Sequence, residues 1–246
     1  MNNSIKAIIA SLALGGAAIG GEMAAPADPV CAVGFTGSVY AGYDTDLYHR
    51  GANLGQDVIS AGFNSNHDLG GLNLDLGIGY QNVTDPAVGD RLVTSAWTGM
   101  DLMGLDAAIG LNWYYFPEID SAVDDNLEIG LQLSHDLGIA TLNFGYYYDF
   151  ESEGSYLEGG LSKTIALADC LDLNLGTGIG YGDDDYNTGF QAGGEHVFVK
   201  AGLTYHLTET AALSAYVAGN FLYGDAADLS DDDDDIYGGV SLSVSF

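Results

Sequence analysis

The chain of 246 residues carries 35 acidic and only five basic side chains, a formal net charge of −30 at pH 7. Such an acidic excess argues against binding to nucleic acid, whose phosphates it would repel. The mean hydropathy of +0.11 is too low for a bundle of membrane helices, whereas 36 glycines and 16 tyrosines favour one large all-β domain.

The N-terminus has the pattern of a secretory signal peptide. Lys6 precedes the apolar stretch Ala7–Ile19, and small residues follow it. That stretch is too short to cross a bilayer as a helix, and cleavage after Ala25 or after Ala27 fits the pattern. We therefore divide the chain into a signal peptide (1–27, with its cleavage site open), a periplasmic tail (28–34) and an outer-membrane β-barrel (35–246).

Alternation of apolar and polar residues with a period of two predicts strands throughout the β domain. Most of these segments are close to the ~9–11 residues that cross a bilayer at a tilt. The pattern predicts an antiparallel up-and-down transmembrane barrel of about twelve strands, at 35–43, 57–67, 72–81, 91–100, 105–115, 127–134, 139–149, 156–165, 171–181, 196–207, 212–223 and 237–246.

The connections between these segments alternate between short turns and longer loops. Barrels of the outer membrane keep short turns in the periplasm and long loops outside, so both termini are expected to be periplasmic. At the long-loop end, six strands finish in a tyrosine on their apolar face, as an interfacial girdle requires. The girdle residues are Tyr43, Tyr80, Tyr115, Tyr148, Tyr181 and Tyr223.

The last strand ends at Phe246, which resembles the C-terminal signal of bacterial outer-membrane proteins. A soluble periplasmic sandwich or lectin-like barrel would also alternate apolar and polar residues. Such a fold would need neither tyrosine at one end of six strands nor a terminal phenylalanine, so we favour the membrane barrel.

The opposite face of the same strands is polar or small and is expected to line the lumen, because charges there cannot face lipid cheaply. The charged residues of that face would tune selectivity in a water-filled path. The alternative is a polar network that merely fills the barrel. The lumen residues are Asp75, Asp106, Glu128, Asp172 and Lys200.

Two long loops carry runs of aspartate. Asp183, Asp184 and Asp185 lie in one, and Asp231, Asp232, Asp233, Asp234 and Asp235 lie in the other. A negative mouth would concentrate cations. Solvated loops, or a weak Ca²⁺ or Mg²⁺ site that bridges to lipopolysaccharide phosphates, are the alternatives.

No catalytic, metal or cofactor site is predicted. Ser65 and His67 share a face, which raises the alternative of an outer-membrane phospholipase, but no orienting partner is evident. Cys31 and Cys170 both fall on the predicted periplasmic side, where a disulfide is allowed. Such a bridge would need the N-terminal tail to cross the barrel mouth.

The segment 43–51, Y-D-T-D-L-Y-H-R-G, resembles a motif near the N-terminus of a poorly characterised family of bacterial outer-membrane barrels, approximately Y-x-S-D-Y-x-F-R-G. Thr45, Leu47 and His49 depart from it. The resemblance implies an outer-membrane barrel of the general porin-like class. Arg50 within it is expected to pair with Asp44 or Asp46.

These patterns predict a porin-like channel for passive diffusion of small neutral or cationic solutes, without enzymatic activity. The alternative is a non-conducting structural or surface-interaction barrel whose acidic loops bind cations. The expected partners are outer-membrane lipid and lipopolysaccharide, the barrel-assembly machinery during biogenesis and divalent cations.

Overall fold

The structure is a computed structural model that describes residues 35–69, 72–86, 89–117, 125–189, 194–229 and 234–246. The predicted signal peptide, the tail and Cys31 lie outside these ranges. Two short helices accompany the strands, α1 (Asp184–Gly189) and α2 (Gly224–Leu229). Among the described residues, no helix has the length and apolarity needed to cross a membrane.

Twelve antiparallel strands form one closed barrel in the described part of the chain, and each strand pairs with its neighbours in sequence. The predicted fold class is therefore confirmed. The strands are β1 (Phe35–His49), β2 (Ala52–Asp68), β3 (Asn73–Pro86), β4 (Arg91–Leu102), β5 (Leu105–Tyr115), β6 (Asn126–Asp136), β7 (Thr141–Asp149), β8 (Ser155–Ala168), β9 (Leu171–Gly182), β10 (His196–His206), β11 (Ala211–Leu222) and β12 (Asp234–Ser245).

The seam between β1 and β12 closes the ring. Val39 pairs with Val244 in its register. Beyond the last ladder pair, Gly37 and Phe246 exchange two backbone hydrogen bonds of 2.9 Å, each N–H donating to the carbonyl of the other residue. The Phe246 ring stacks on Phe63 of β2 at 6.3 Å between centroids. Closure leaves no unpaired strand edge between β1 and β12.

The apolar side of the sheet faces outward. On β5, the outward residue Ile109 is 51% exposed, whereas Asn112 on the inward face of the same strand is 1% exposed. Leucine, isoleucine, valine and aromatic side chains repeat this exposure around the described barrel wall. In water so large an apolar surface would be strongly unfavourable, so this face contacts lipid. Within the described ranges no second sheet covers it, contrary to the sandwich alternative.

The first hairpin differs from the prediction. Residues 44–56 were expected to form a long loop, but β1 and β2 continue to a tip of two residues, Arg50 and Gly51. Both tip residues have positive φ, 50° and 89°, which matches a tight hairpin turn. The register shifts between Asp46 and Tyr48, and a bulge of this kind bends a strand.

This bend turns the upper part of the hairpin into the lumen. Leu47 and Leu54 from the hairpin join a buried cluster with Val93, Tyr114 and Phe116, which stand on or just beyond β4 and β5. The burial of these apolar side chains stabilises the inward position by the hydrophobic effect. We call residues 47–54 the plug hairpin.

The lumen is therefore divided. Around β4 to β8, from the middle of the wall to the long-loop end, inward side chains such as Trp97, Gln132 and Tyr156 are fully buried. On the β8–β12 wall, inward residues such as Gly160, Ser162, Gly176 and Ser241 stay partly exposed, whereas Asn174 and Thr204 are buried. A Cβ built on Gly176 of β9 would meet no atom within 4 Å, so this wall borders open space.

Candidate functional site in the lumen

The centre of the packed region is an ion pair between the plug hairpin and the wall. The Arg50 guanidinium binds the Glu128 carboxylate of β6 with two hydrogen bonds; Nη2 donates to Oε1 at 2.6 Å and Nη1 donates to Oε2. The side chains are only 9% and 1% exposed. Removing one partner would leave a buried, uncompensated charge, which costs about 3–5 kcal/mol in soluble proteins.

Three tyrosines surround the same guanidinium. Arg50 Cζ lies 3.9 Å from the ring centroid of Tyr147, 5.0 Å from that of Tyr156 and 5.8 Å from that of Tyr186. Nη1 also donates a 3.2 Å hydrogen bond to the Tyr186 hydroxyl. Aromatic faces attract a guanidinium, and more strongly when water is excluded. We call Glu128 with these three tyrosines the tyrosine cage.

Hydrogen bonds among wall residues hold the cage. Asn112 Nδ2 donates to Glu128 Oε1 at 2.9 Å, and Trp97 Nε1 donates to Asn112 Oδ1 at 3.0 Å. Gln132 Nε2 donates to the Tyr147 hydroxyl at 3.0 Å. The positions of Glu128 and Tyr147 are thus fixed by β4, β5 and β6, independently of the plug hairpin.

The backbone of the tip is bound to the opposite wall. Gly194 N–H donates to the Arg50 carbonyl at 2.7 Å, and Asn220 Nδ2 donates to the Gly51 carbonyl at 3.1 Å. Asn220 Oδ1 in turn lies 2.7 Å from Nδ1 of His196. The plug hairpin therefore spans the lumen from β6 to β11.

A second polar group lies below the tip, on the β1, β10 and β11 walls. The Tyr216 hydroxyl donates to Asp44 Oδ1 at 2.6 Å, and Lys200 Nζ stands 3.8 Å from the Tyr216 ring centroid. Lys200 and Asp44 thus contact one tyrosine from two sides. Lys200 and Tyr216 are partly exposed, whereas Asp44 is buried.

All five predicted lumen residues face inward. Glu128 and Lys200 belong to the two groups above, and Asp106 is half-buried on β5. Asp75 accepts a 2.6 Å hydrogen bond from Asn66, and Asp172 lies 2.9 Å from His206 Nε2. The structure thus places them along the lumen wall and does not gather them into one cluster. Their part in selectivity stays a prediction.

The prediction that Arg50 pairs with Asp44 or Asp46 was wrong. Asp44 binds Tyr216 and the Asp46 side chain accepts from Asn53 at 3.2 Å, while Arg50 reaches Glu128. The bend of the hairpin carries the guanidinium across the lumen, away from both aspartates.

The tyrosines predicted as a girdle lie at the long-loop end. Tyr43, Tyr80, Tyr115 and Tyr181 are exposed on the outer face, whereas Tyr148 and Tyr223 are half-buried. Tyr223 follows the end of β11 and donates to the Gly180 carbonyl at 2.9 Å. Their contact with headgroups stays a prediction.

Two of the tyrosines bind aspartates of neighbouring loops and strands. Tyr43 donates to Asp57 at 2.5 Å, and Tyr80 donates to Asp90. Burial alone would raise the pKa of Asp90, but hydrogen bonds from Tyr80, Asn82 and the Val83 N–H outweigh burial and lower that pKa. Asp90 is therefore held in its charged form.

The acidic runs are less loop-like than predicted. Asp183 accepts from the Ser155 and Tyr186 N–H groups, both at 2.9 Å, and so caps α1. Asp184 and Asp185 lie in the first turn of α1. Asp234 and Asp235 belong to β12, because the strand begins before the predicted residue 237; Asp231, Asp232 and Asp233 lie outside the described residues.

Ser65 and His67 are within hydrogen-bond distance, 3.2 Å between Oγ and Nε2. Both have the parity of Ile59 and Phe63 on the outer face of β2, where Ser65 is nevertheless buried. Cys170 lies in the turn between β8 and β9, where its carbonyl accepts from His206 N–H at 2.9 Å.

Sequence reasoning missed the tyrosine cage. Tyr147 and Tyr156 have the inward parity of their strands, which sets them apart from the girdle tyrosines. Arg50 was the other signal, because it is one of only five basic residues in an acidic chain. A rare buried cation beside inward tyrosines would have indicated a cation–π site.

No family model and no curated protein matches the chain. Among solved structures, the KdgM porin aligns with a TM-score of 0.53 at 10% identity, over 85% of this chain and 99% of that one. The NanC porin gives 0.52 at 12% identity over 85% and 98%. An outer membrane channel from Pseudomonas putida F1 gives 0.52 at 13% identity over 90% and 100%. At these identities the likeness establishes a shared barrel fold.

Proposed function

We propose that this protein is a porin-like channel of the bacterial outer membrane, through which small neutral or cationic solutes diffuse passively. The plug hairpin restricts the path at the long-loop end. We further propose that both termini face the periplasm, in keeping with the short turns at that end.

The observation that carries this proposal is the divided lumen. Part of it is a glycine-rich wall that borders open space at Gly176. Another part is closed by a hairpin whose tip is bound through one ion pair and a few hydrogen bonds. A lumen whose side chains served only to support the barrel would not need this open space.

The charge of the inner wall favours cations. Asp44, Asp75, Asp106 and Asp172 face the lumen, against Lys200 as the partly exposed cation among the described inward residues. Fixed charges of one sign in a narrow path repel ions of the same sign. Neutral solutes small enough to pass the plug hairpin would be neither attracted nor repelled by these fixed charges.

The outer surface supports the location. Its apolar band ends in tyrosines at the long-loop end, and the fold is shared with outer-membrane channels. Lipid and lipopolysaccharide would surround the barrel, with acidic rim residues offering carboxylates to divalent cations. Phe246 at the seam is the residue that the barrel-assembly machinery would recognise.

Conductance in planar bilayers tests the channel. We expect the purified wild-type protein to give discrete, cation-preferring current steps. Glu128→Gln leaves the Arg50 charge without its counter-ion, so the tip should leave the cage and large steps should become more frequent. Glu151→Gln makes the same chemical change in the exposed β7–β8 loop and should behave as wild type. Absence of steps from wild type and from Glu128→Gln would reject a conducting lumen.

Water access to the lumen is tested separately by cysteine labelling. In a background with Cys31 and Cys170 changed to serine, Gly176→Cys should react rapidly with a charged thiol reagent. Ala108→Cys, whose parent residue is inward but only 7% exposed, should react slowly. Equal protection of both thiols would show that the whole lumen is packed.

The second candidate is a non-conducting structural or surface-interaction barrel. The burial of Trp97, Gln132 and Asn112 favours it, because these side chains fill that part of the lumen. This candidate predicts that neither the wild-type protein nor any variant gives current steps in planar bilayers. The phospholipase alternative predicts lipid hydrolysis lost in Ser65→Ala; we expect none, because the Ser65 side chain is only 8% exposed on the outer face.

A further inference from the structure

The tyrosine cage has the features of a binding site that is occupied by part of its own chain. Its carboxylate and rings come from β6, β7, β8 and α1, whereas the cation comes from the plug hairpin. Asn112 and Gln132 orient Glu128 and Tyr147 through hydrogen bonds that do not involve Arg50. Glu128 and Tyr147 therefore have supports that do not depend on the guanidinium.

We propose that the tyrosine cage is a guanidinium-binding site of the lumen, and that a solute bearing a guanidinium group competes with Arg50 for it and releases the plug hairpin. The inference rests on the proposed channel function and names its preferred solute class. Arg50 is then a built-in competitor that occupies the site while no such solute is present.

The geometry selects a planar cation over a spherical one. Glu128 receives two hydrogen bonds from two nitrogens of one guanidinium, a pairing that an ammonium group cannot reproduce. The Tyr147 ring lies 3.9 Å from the guanidinium carbon, a distance that suits stacking of a flat group. Potassium or sodium would lose hydration water without gaining these contacts.

Exchange at the tip breaks few polar attachments among the described residues, whereas release of the whole plug hairpin also opens the apolar contacts of Leu47 and Leu54. Beyond the cage, the backbone of the tip is bound by the Gly194 N–H and the Asn220 side chain. A tethered ligand has an effective concentration in the millimolar range or above. A free solute must therefore exceed its own dissociation constant considerably before it displaces Arg50.

Binding is measured first in Arg50→Ala, which empties the cage. The probe is ethylguanidinium, because it supplies the atoms that the substitution removes. We expect saturable binding by calorimetry in detergent micelles, weakened by about tenfold or more when Glu128→Gln is added, since a charge-assisted bidentate contact is lost. Adding Glu151→Gln instead should leave the affinity unchanged, and neutral ethylurea should not bind.

Competition is measured with the plug hairpin intact. Ala52→Cys, in the background with Cys31 and Cys170 changed to serine, places a thiol at a position that is 6% exposed. Ethylguanidinium should accelerate its labelling in a dose-dependent way, at concentrations above those that saturate Arg50→Ala. This variant also serves if Arg50→Ala does not fold.

Failure of Arg50→Ala to bind ethylguanidinium, or binding that ignores Glu128→Gln, would overturn the site. Labelling of Ala52→Cys that does not change at the highest concentrations would overturn the competition. Neither measurement requires current. Silent bilayers with intact binding would therefore reject the channel and keep the site, whereas currents without binding would do the reverse.

Discussion

Lys200 and Lys163 are a pair of similar side chains on opposite faces of the same wall. Lys200 points into the lumen beside Tyr216. Lys163 pairs with the lipid-facing Leu175 in the β8–β9 register, and its Nζ reaches the Gly138 carbonyl in the β6–β7 turn at 3.4 Å. A long stem that carries its charge to the membrane edge is typical of lysines on a lipid face.

We therefore expect Lys200→Gln to increase the preference of the channel for cations, because it removes a positive charge from a lumen rich in carboxylates. The reversal potential under a salt gradient measures the change. Lys163→Gln removes the same charge outside the barrel and should leave the reversal potential where it was. A Lys200→Gln channel with wild-type selectivity would show that ions do not pass close to this residue.

For single residues, the sequence predicts which face of the barrel a side chain occupies better than it predicts which residue that side chain contacts. Parity alone was enough to place Glu128 and Lys200 on the inner face, because side chains alternate along a strand. The partner of Glu128 lies 78 positions away in the chain, and no local pattern relates the two residues. Only the closed barrel with its bent first hairpin brings them together.

The tip of the plug hairpin is set by Gly51. Its φ is +89°, and a Cβ added there would lie 2.9 Å from the His196 ring. Gly104, in the turn between β4 and β5, has the same φ of +89° but a Cβ there would meet nothing within 4 Å. Both glycines thus need a positive φ, but only at Gly51 would an added Cβ contact another residue.

Gly51→Ala should therefore both strain the turn and push the tip away from His196. We expect more frequent large conductance steps and a stability loss of about 1–3 kcal/mol from the positive φ. Gly104→Ala should show a comparable stability loss in urea unfolding with unchanged conductance. If both variants conduct alike, the seating of the tip does not control the path.

The inward fold of this hairpin was hidden in the sequence for a physical reason. Residues 44–56 are polar enough to look like a loop, and the bulge between Asp46 and Tyr48 breaks the period of two. The remaining signal was Leu47 and Leu54, apolar side chains that a solvated loop has no reason to carry. Tertiary burial against β4 and β5 explains them.

Over the whole molecule, the barrel has an apolar outside and a polar inside, so the effect of a charge on its outer face should depend on depth. Ile109→Arg places a charge midway along β5 on the lipid face and should destabilise the barrel by about 2–4 kcal/mol. Leu105→Arg makes a comparable change at the short-turn end of the same strand and should cost about 0–1 kcal/mol.

Urea unfolding in lipid vesicles, followed by heat-modifiable gel mobility, measures both variants. Equal effects at the two depths would contradict a membrane around this part of the wall. A large effect confined to Ile109→Arg would locate the hydrocarbon region on β5.

The twelve strands and their order were predictable because alternation and turn residues are local properties of the chain. The predicted ranges differ from the structure mainly at the long-loop end, where β1, β2, β3 and β12 extend further. There the strands leave the lipid, so the apolar half of the pattern is lost while backbone pairing continues. The alternation of apolar and polar residues indicates which face of a strand contacts lipid, so the pattern ends where the strand leaves the hydrocarbon region.

The seam at Gly37 and Phe246 makes assembly an all-or-none event. Eleven of the wall contacts join consecutive strands and can form as the ribbon grows, but the twelfth joins the two most distant strands. Until it forms, two bare edges would be stranded in hydrocarbon with no water to solvate their peptide groups. A chain lacking its final strand would therefore stay an unfinished ribbon and be left to proteases, so only full-length copies would become resident in the bilayer.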